Sequence, residues 1–113
     1  MKLWLDDRRA APPGWTWITD VESALQTLRH SDVSEVSLDY DLEDTDPGRT
    51  GAEVIAWVWN TGGSELHGEM PIWHSHSTNP FGAAVFAMFL RALEGGPEPS
   101  PEQLHADLLQ RTK

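Results

Sequence analysis

Short apolar runs alternate with longer helix-like segments along this chain, and no other feature of the sequence restricts the fold as strongly. Four runs have the length and composition of strands: "KLWL" (2–5), "WTWI" (15–18), "EVSLD" (35–39) and "MPIWHSH" (70–76). Three segments have helical spacing: "VESALQTLRH" (21–30), "AEVIAWVWN" (52–60) and "PFGAAVFAMFLRAL" (80–93). Strands that alternate with helices predict an α/β domain with a four-stranded, mainly parallel sheet.

The length of 113 residues is enough for one domain with one core. We predict that residues 1–94 form this domain. "GGPEPSP" (95–101) is typical of a linker, and "PEQLHADLLQR" (101–111) predicts a terminal helix that packs on the domain or on a partner.

Several kinds of protein are disfavoured by composition. No apolar run approaches 18 residues and the N-terminus has no signal-peptide core, so we expect a soluble, cytoplasmic protein that does not bind membranes. The absence of cysteine excludes disulfides and cysteine-ligated zinc. The net charge of −10 disfavours broad binding to a nucleic-acid backbone. A small anionic substrate held through a metal ion remains possible.

Acidic residues follow two of the predicted strands. Asp6 and Asp7 end the first strand, and Asp39 and Asp41 end the third. In a parallel sheet the carboxyl ends of the strands meet at one edge, where ligands bind. Crowded carboxylates need a compensating cation, and oxygen ligands suit Mg²⁺ or Mn²⁺. The alternative is that these are turn residues in water.

The calcium loop of an EF-hand does not explain the acidic stretch. Counting from Asp39, the sixth position holds Asp44 instead of glycine, and the twelfth holds Thr50 instead of glutamate.

Polar residues also end the fourth predicted strand. His74 and His76 are two residues apart and therefore on one face of the strand, where they could serve as metal ligands or as general acid and base. Ser77, Thr78 and Asn79 precede the last apolar helix and could direct backbone N–H groups at an anion. Helix capping by Thr78 or Asn79 is the simpler explanation.

Two further features near the first strand have two interpretations each. Arg8 could clamp a phosphate, or it could pair with the neighbouring carboxylates. Trp15 and Trp17 could form a stacking wall for a base, although tryptophans of this kind are mostly core residues.

Three motifs together resemble response-regulator receiver domains, and more closely the cyclic-phosphate processing receiver family: "LDDRRAAPPGWTW", "SLDYDLED" and "HSHSTNP". The resemblance spans roughly residues 2–90. It implies a small receiver-like, flavodoxin-like three-layer fold. It also implies that Asp6 and Asp7 are the metal-binding acidic pair and that Asp39 is at the phosphoacceptor position. Asp41, His76 and Asn79 match additional polar positions of the family.

The chain departs from these patterns at three points. Tyr40 stands where the family carries histidine. No fifth strand with the lysine of ordinary receivers is visible, and the helix between the first two strands is missing. Ordinary two-component phosphorelay is therefore disfavoured.

The function predicted from the residues and the resemblance is a metal-dependent phosphoesterase that acts on cyclic phosphates. Its substrate would be a nucleotide or an RNA end with a 2′,3′-cyclic phosphate, as in RNA processing or repair. The aspartates that would hold Mg²⁺ or Mn²⁺ are Asp6, Asp7, Asp39 and Asp41. The residues that would carry out catalysis are Asp39, His76 and His74. The residues that would bind the substrate are Arg8, Ser77, Thr78 and Asn79. The alternative is a non-catalytic receiver-like module that binds a protein partner through its acidic face or C-terminal helix.

Overall fold

The computed structural model describes residues 1–94 and contains a four-stranded sheet with three helices. In chain order the elements are β1 (Lys2–Leu5), β2 (Thr16–Ile18), α1 (Val21–His30), β3 (Glu35–Leu38), α2 (Ala52–Thr61), β4 (Ile72–Ser75) and α3 (Pro80–Leu93). The strands lie in the order β2-β1-β3-β4, and every neighbouring pair is parallel. The predicted α/β class is confirmed. No helix within residues 1–94 is long and apolar enough to span a bilayer.

The observed elements differ from the predicted ones by one or two residues at their ends. The fourth strand begins at Ile72, not at Met70, because Pro71 has no N–H group to donate to the sheet. The backbone N–H of Ile72 donates to Ser34 O at 2.9 Å and starts the pairing with β3.

Two helices begin at side-chain caps, and the cap of α3 is one of the two residues that the sequence offered. Asp20 caps α1, since its carboxylate accepts from the backbone N–H of Ser23. Asn79 caps α3, with its side-chain oxygen accepting from Phe81 N at 3.0 Å, and Pro80 occupies the first turn.

The core is on one face of the sheet. Alternate residues of the two central strands, Leu3 and Leu5 in β1 and Val36 and Leu38 in β3, are at most 1% exposed. They form a single cluster with buried residues from all three helices: Val21, Ala24, Leu28, Ala52, Val54, Ile55, Val85 and Phe86. The three helices therefore pack against this leucine face of the sheet. Residues 1–94 thus form two layers where the resemblance implied three, because β1 is followed directly by β2 with no helix between them.

The opposite face of the sheet carries the intervening residues. Trp4, Ser37 and His74 lie in one row across β1, β3 and β4. Trp17 and Ile72 on the two outer strands are 46% and 60% exposed. No helix among residues 1–94 covers this face, and the predicted C-terminal helix at 101–111 lies outside the described residues.

Candidate active site

The carboxyl ends of the strands bring three separate parts of the sequence together. The sheet hydrogen bonding continues one residue past each strand: Asp6 N donates to Ile18 O, Asp39 N to Leu5 O, and His76 N to Leu38 O, at 2.9–3.1 Å. The residue after each strand is thereby held by its neighbour. The predicted convergence at this edge is present for Asp6, Asp39 and His76.

Three carboxylates form the centre of this edge. Asp6, Asp7 and Asp39 each offer one oxygen, and these three oxygens lie within 4.8 Å of one another. Asp6 and Asp39 are 0% and 8% exposed, so their charges are largely withdrawn from water. A donor set of three hard oxygen ligands fits Mg²⁺ or Mn²⁺.

The carboxylate of Asp6 is fully hydrogen-bonded by the protein. Its Oδ1 accepts from the backbone N–H groups of Arg8 and Arg9 at 2.8 and 2.9 Å. Its Oδ2 accepts from Arg9 Nε at 2.9 Å and contacts His76 Nε2 at 3.0 Å. Asp6 therefore has the most tightly defined orientation in the cluster.

The surroundings shift the pKa values of Asp6 and Asp39 in opposite directions. Burial raises the pKa of Asp6, but the hydrogen bonds from the Arg9 and Arg8 backbone, from His76 and the charge of Arg9 outweigh it and leave the pKa lowered. Burial and the negative charge of Asp6 raise the pKa of Asp39 against the opposing charge of Arg9. Of these two carboxylates, the surroundings favour the charged form of Asp6 and disfavour that of Asp39.

His76 orients the Asp6 carboxylate through a hydrogen bond. Because an ionised carboxylate only accepts, His76 Nε2 carries the hydrogen towards Asp6, and Nδ1 accepts from Ser37 Oγ at 2.7 Å. The ring stacks on Trp4 with centroids 3.7 Å apart. Burial lowers the pKa of His76, although the hydrogen bond and charge of Asp6 act in the other direction. Both ring nitrogens are engaged, so His76 orients a carboxylate.

The structure does not bring His74 to the carboxylate cluster. Its ring is exposed, lies 3.4 Å from Glu35 Oε1 and contacts the edge of Trp15. His74 and His76 do share one face of β4, as their spacing indicates. However, Glu35 is in the first position of β3, at the opposite end from Asp39, so His74 faces a different carboxylate.

Arg8 and Asp41 lie at the rim of the cluster. The Arg8 guanidinium makes two hydrogen bonds to Asp44, and its side chain is 72% exposed. Asp44 N in turn donates to Asp7 Oδ2 at 3.1 Å. Asp41 is exposed and accepts from Asn79 Nδ2 at 3.3 Å, so it is outside the three-carboxylate group.

The residues before α3 have mainly local roles. Asn79 both caps the helix and donates to Asp41, and Ser77 Oγ accepts from Asn79 N at 3.1 Å. Thr78 is exposed and lines the pocket over the carboxylates. Of the three, Thr78 is the residue best placed to contact a bound molecule.

An open pocket of about 550 Å³ lies over this edge of the sheet. Its lining comes from the loops after β1, β3 and β4: Asp6, Asp7, Arg8, Arg9, Asp39, Asp41, Glu43 and Thr78. This volume is sufficient for a nucleotide-sized ligand.

Tyr40 is directed away from this pocket. Its ring makes edge contacts with Phe81 and Phe86 and packs on the core. A Cβ atom at Gly82 would lie 2.4 Å from Tyr40 Cβ, so this glycine permits the packing. The position at which the chain departs from the family motif therefore packs against α3 in this protein.

Sequence reasoning missed four residues at or beneath the site: Trp4, Arg9, Ser37 and Glu43. Arg9 is the most consequential, because its guanidinium lies against Asp6 and Asp39. Its one signal in the sequence was its place beside the acidic pair, which Arg8 shares. Ser37 and Trp4 carried no signal, since their roles depend on pairing between strands.

The tryptophans of β2 and the segment before it differ in their surroundings. Trp15 contacts the edge of Trp4 with ring centroids 6.0 Å apart. Trp17 is exposed, and its Nε1 donates to Asp6 O at 2.9 Å. Trp17 is the member of the pair whose ring is open to solvent beside the carboxylates.

This fold and this site define a receiver-like domain: a parallel sheet with an acidic pair after β1, an aspartate after β3 and a hydroxyl-bearing residue after β4. A family model described as the cyclic-phosphate processing receiver domain matches residues 1–92. The chain belongs to that family, which confirms the resemblance. The searches of curated proteins and of solved structures each found no match.

The lysine of ordinary receivers has no counterpart at this edge within residues 1–94. The two lysines of the sequence are Lys2 and Lys113. Lys2 begins β1, at the far end of the strand from Asp6, and pairs with Glu35 at 3.1 Å. Asp39 thus lacks this receiver partner among the described residues.

Proposed function

We propose that this protein is a metal-dependent phosphoesterase that opens a cyclic phosphate, carried by a nucleotide or an RNA end. The observation that supports the proposal most is the group of three carboxylate oxygens, from Asp6, Asp7 and Asp39, within 4.8 Å of one another beneath an open pocket. Membership in a family described by cyclic-phosphate processing supports the choice of substrate class.

Asp6, Asp7 and Asp39 would hold Mg²⁺ or Mn²⁺. When bound, such an ion polarises a phosphoryl oxygen and lowers the pKa of a water molecule. Ring opening adds water to phosphorus and breaks one ring P–O bond, and the released oxygen takes a proton to become a hydroxyl. The pocket is open, so this proton comes from solvent.

Within the pocket, Asp39 is the candidate to accept the proton of the attacking water. Its carboxylate lines the pocket, where one oxygen would hold the metal and the other would take the proton. Thr78 and Arg8 lie on the rim, where a hydroxyl and a guanidinium can contact phosphoryl oxygens. His76 acts through Asp6, which it keeps ionised and oriented.

Turnover of cyclic phosphates tests the proposal. A 2′,3′-cyclic nucleotide and an RNA with a cyclic-phosphate end should each yield a monoester with Mn²⁺ and none with a chelator, as read by product mass. Asp7→Asn should abolish the reaction. If no member of the panel is opened while metal binding is demonstrated, the enzyme proposal is wrong.

His74 in β4 and His76 just after it give a sharper comparison. His76→Ala should reduce the rate by about 10- to 100-fold, which is usual for loss of a residue that orients a metal ligand. His74→Ala should leave the rate nearly unchanged, because its ring pairs with Glu35. A loss of rate in His74→Ala equal to that in His76→Ala would contradict the separate roles of the two histidines.

A second candidate function is a non-catalytic module that binds a protein partner. Trp17 and Ile72 favour it, because they are exposed on the sheet face that no helix of residues 1–94 covers. Absence of turnover, together with a binding partner whose affinity falls in Trp17→Ala, would support this function over the enzyme.

A further inference from the structure

Arg9 holds a position that a metal ion at the carboxylate cluster would also require. Its Nε lies 2.9 Å from Asp6 Oδ2, and its Nη2 lies 3.7 Å from Asp39 Oδ2. The same Nη2 donates to His76 O at 3.0 Å. The guanidinium therefore spans two of the three carboxylates that converge within 4.8 Å.

Asp6 has no acceptor site left for another ligand. A carboxylate offers about four lone-pair positions, and Asp6 uses its two oxygens for four contacts: two backbone N–H groups, Arg9 Nε and His76 Nε2. A bond from Asp6 to a metal ion must replace one of these contacts.

The four contacts of Asp6 differ in how readily a metal ion could replace them. The two backbone donors belong to the turn that closes on Asp6, and His76 is held by its stack on Trp4 and by Ser37. The Arg9 side chain is 46% exposed and can move into solvent without leaving a cavity. Arg9 is the contact that a cation would displace.

We propose that Arg9 is an internal competitor for the metal ion. In the metal-free protein its guanidinium offsets the charges of Asp6 and Asp39, and a divalent ion at the cluster displaces it. This inference rests on the proposed function, since it requires a metal at these carboxylates. The displaced guanidinium stays at the rim of the same pocket, where its two-pronged donor geometry suits a phosphoryl group.

Arg8 is a matched control for this role. It carries the same charge and is the adjacent residue, but its guanidinium pairs with Asp44 and its side chain is 72% exposed. A general effect of net charge would appear equally in both arginines. Displacement from the cluster would appear in Arg9 alone.

Calorimetric titration of the full chain with Mn²⁺ tests the proposal. Arg9→Gln should bind Mn²⁺ about tenfold more tightly than the wild type, within the usual range for coupled binding events. Arg8→Gln should change the affinity much less. Arg9→Lys, which retains the charge without the two-pronged contact, should fall between the wild type and Arg9→Gln.

Melting temperature without metal gives an independent readout. Arg9→Gln should melt lower than the wild type, because Asp6 and Asp39 lose their shared counter-charge, while its response to Mn²⁺ should be larger. Unchanged or weaker Mn²⁺ affinity in Arg9→Gln, or the same gain in Arg8→Gln, would overturn the role of Arg9. No Mn²⁺ binding by the wild type or any variant would remove the metal site itself, and with it the proposed function.

Discussion

The buried imidazole of His76 gives the protein a specific pH dependence. Burial lowers its pKa despite the opposing effect of Asp6, so the folded protein keeps the ring neutral where the unfolded chain takes up a proton. The ordinary value is about 6.5. The stability that depends on the neutral ring is therefore complete above that pH and is lost as the pH falls below it.

We expect the melting temperature of the wild type to fall between about pH 7 and pH 5, and that of His76→Gln to fall less over the same range. Thermal denaturation at several pH values measures both. Asp6, whose pKa is lowered, contributes stability that is complete above its ordinary pKa of about 3.9 and is lost as the pH falls below that value towards the lower pKa of the folded protein. Parallel curves for the two proteins would show that His76 does not cause the loss.

Asp39 has the opposite effect on the stability of the metal-free protein. Burial and the charge of Asp6 raise its pKa, so its ionisation at neutral pH reduces the stability of the metal-free protein. Asp39→Asn should raise the free energy of unfolding without metal by roughly 1 kcal/mol, the scale of one pKa unit. It should also weaken the stabilisation by Mn²⁺.

Chemical denaturation with and without Mn²⁺ measures both effects of Asp39→Asn. Glu65→Gln is the control, since it removes one negative charge at an exposed position in the segment between α2 and β4. A clear loss of stability in metal-free Asp39→Asn would mean that Asp39 is a structural acceptor.

The segment between β3 and α2 is held against the site by a close backbone approach. Gly51 N donates to Tyr40 O at 3.0 Å, and a Cβ atom at Gly51 would lie 1.9 Å from Asp39 O. Because Gly51 has no side chain, the start of α2 can pack directly against the backbone of Asp39. The position of Asp39 in the cluster therefore depends on α2 as well as on β3.

Gly51→Ala should destabilise the fold by about 1–3 kcal/mol, the usual cost of overpacking, and should weaken Mn²⁺ binding by displacing Asp39. Gly62 ends the same helix with φ of +63° and no atom within 4 Å of an added Cβ. Gly62→Ala should cost about 1–2 kcal/mol through its left-handed backbone and leave Mn²⁺ affinity unchanged. Equal Mn²⁺ affinities in the two variants would disprove the coupling between α2 and the site.

Residues 1–94 contain one continuous hydrophobic core. The buried hydrophobic residues run from Leu3 to Met88, and the family match ends at residue 92. A protein truncated after Glu94 should therefore unfold cooperatively, with a change in stability of no more than about 1 kcal/mol. Urea denaturation of the full-length and truncated proteins measures the difference in their free energies of unfolding.

The truncation also tests whether residues 95–113 pack on the domain. Within residues 1–94, Trp17 and Ile72 are exposed on the face of the sheet opposite the helices, where a packed helix would bury apolar area. A loss of several kcal/mol, with a red shift in tryptophan emission, would mean that the C-terminal segment covers this face. The predicted domain boundary at residue 94 would then need revision.

Local signals in the sequence determined the class of fold and the centre of the candidate site. Alternation of apolar runs with helical spacing predicted the parallel sheet, and the position of Asp6 and Asp39 at strand ends predicted their meeting. The cap Asn79 was also among the residues predicted. These features depend on neighbours within a few positions of the chain, which the sequence displays directly.

Tertiary structure alone decided how the site is completed. Arg8 and Arg9 are adjacent and alike in sequence, yet the turn after β1 directs Arg9 to Asp6 and Arg8 to Asp44. His76 reaches Asp6 across 70 positions, while His74 is left at Glu35. The physical reason is that register between strands and the direction of a loop fix these contacts, and neither is encoded in local spacing.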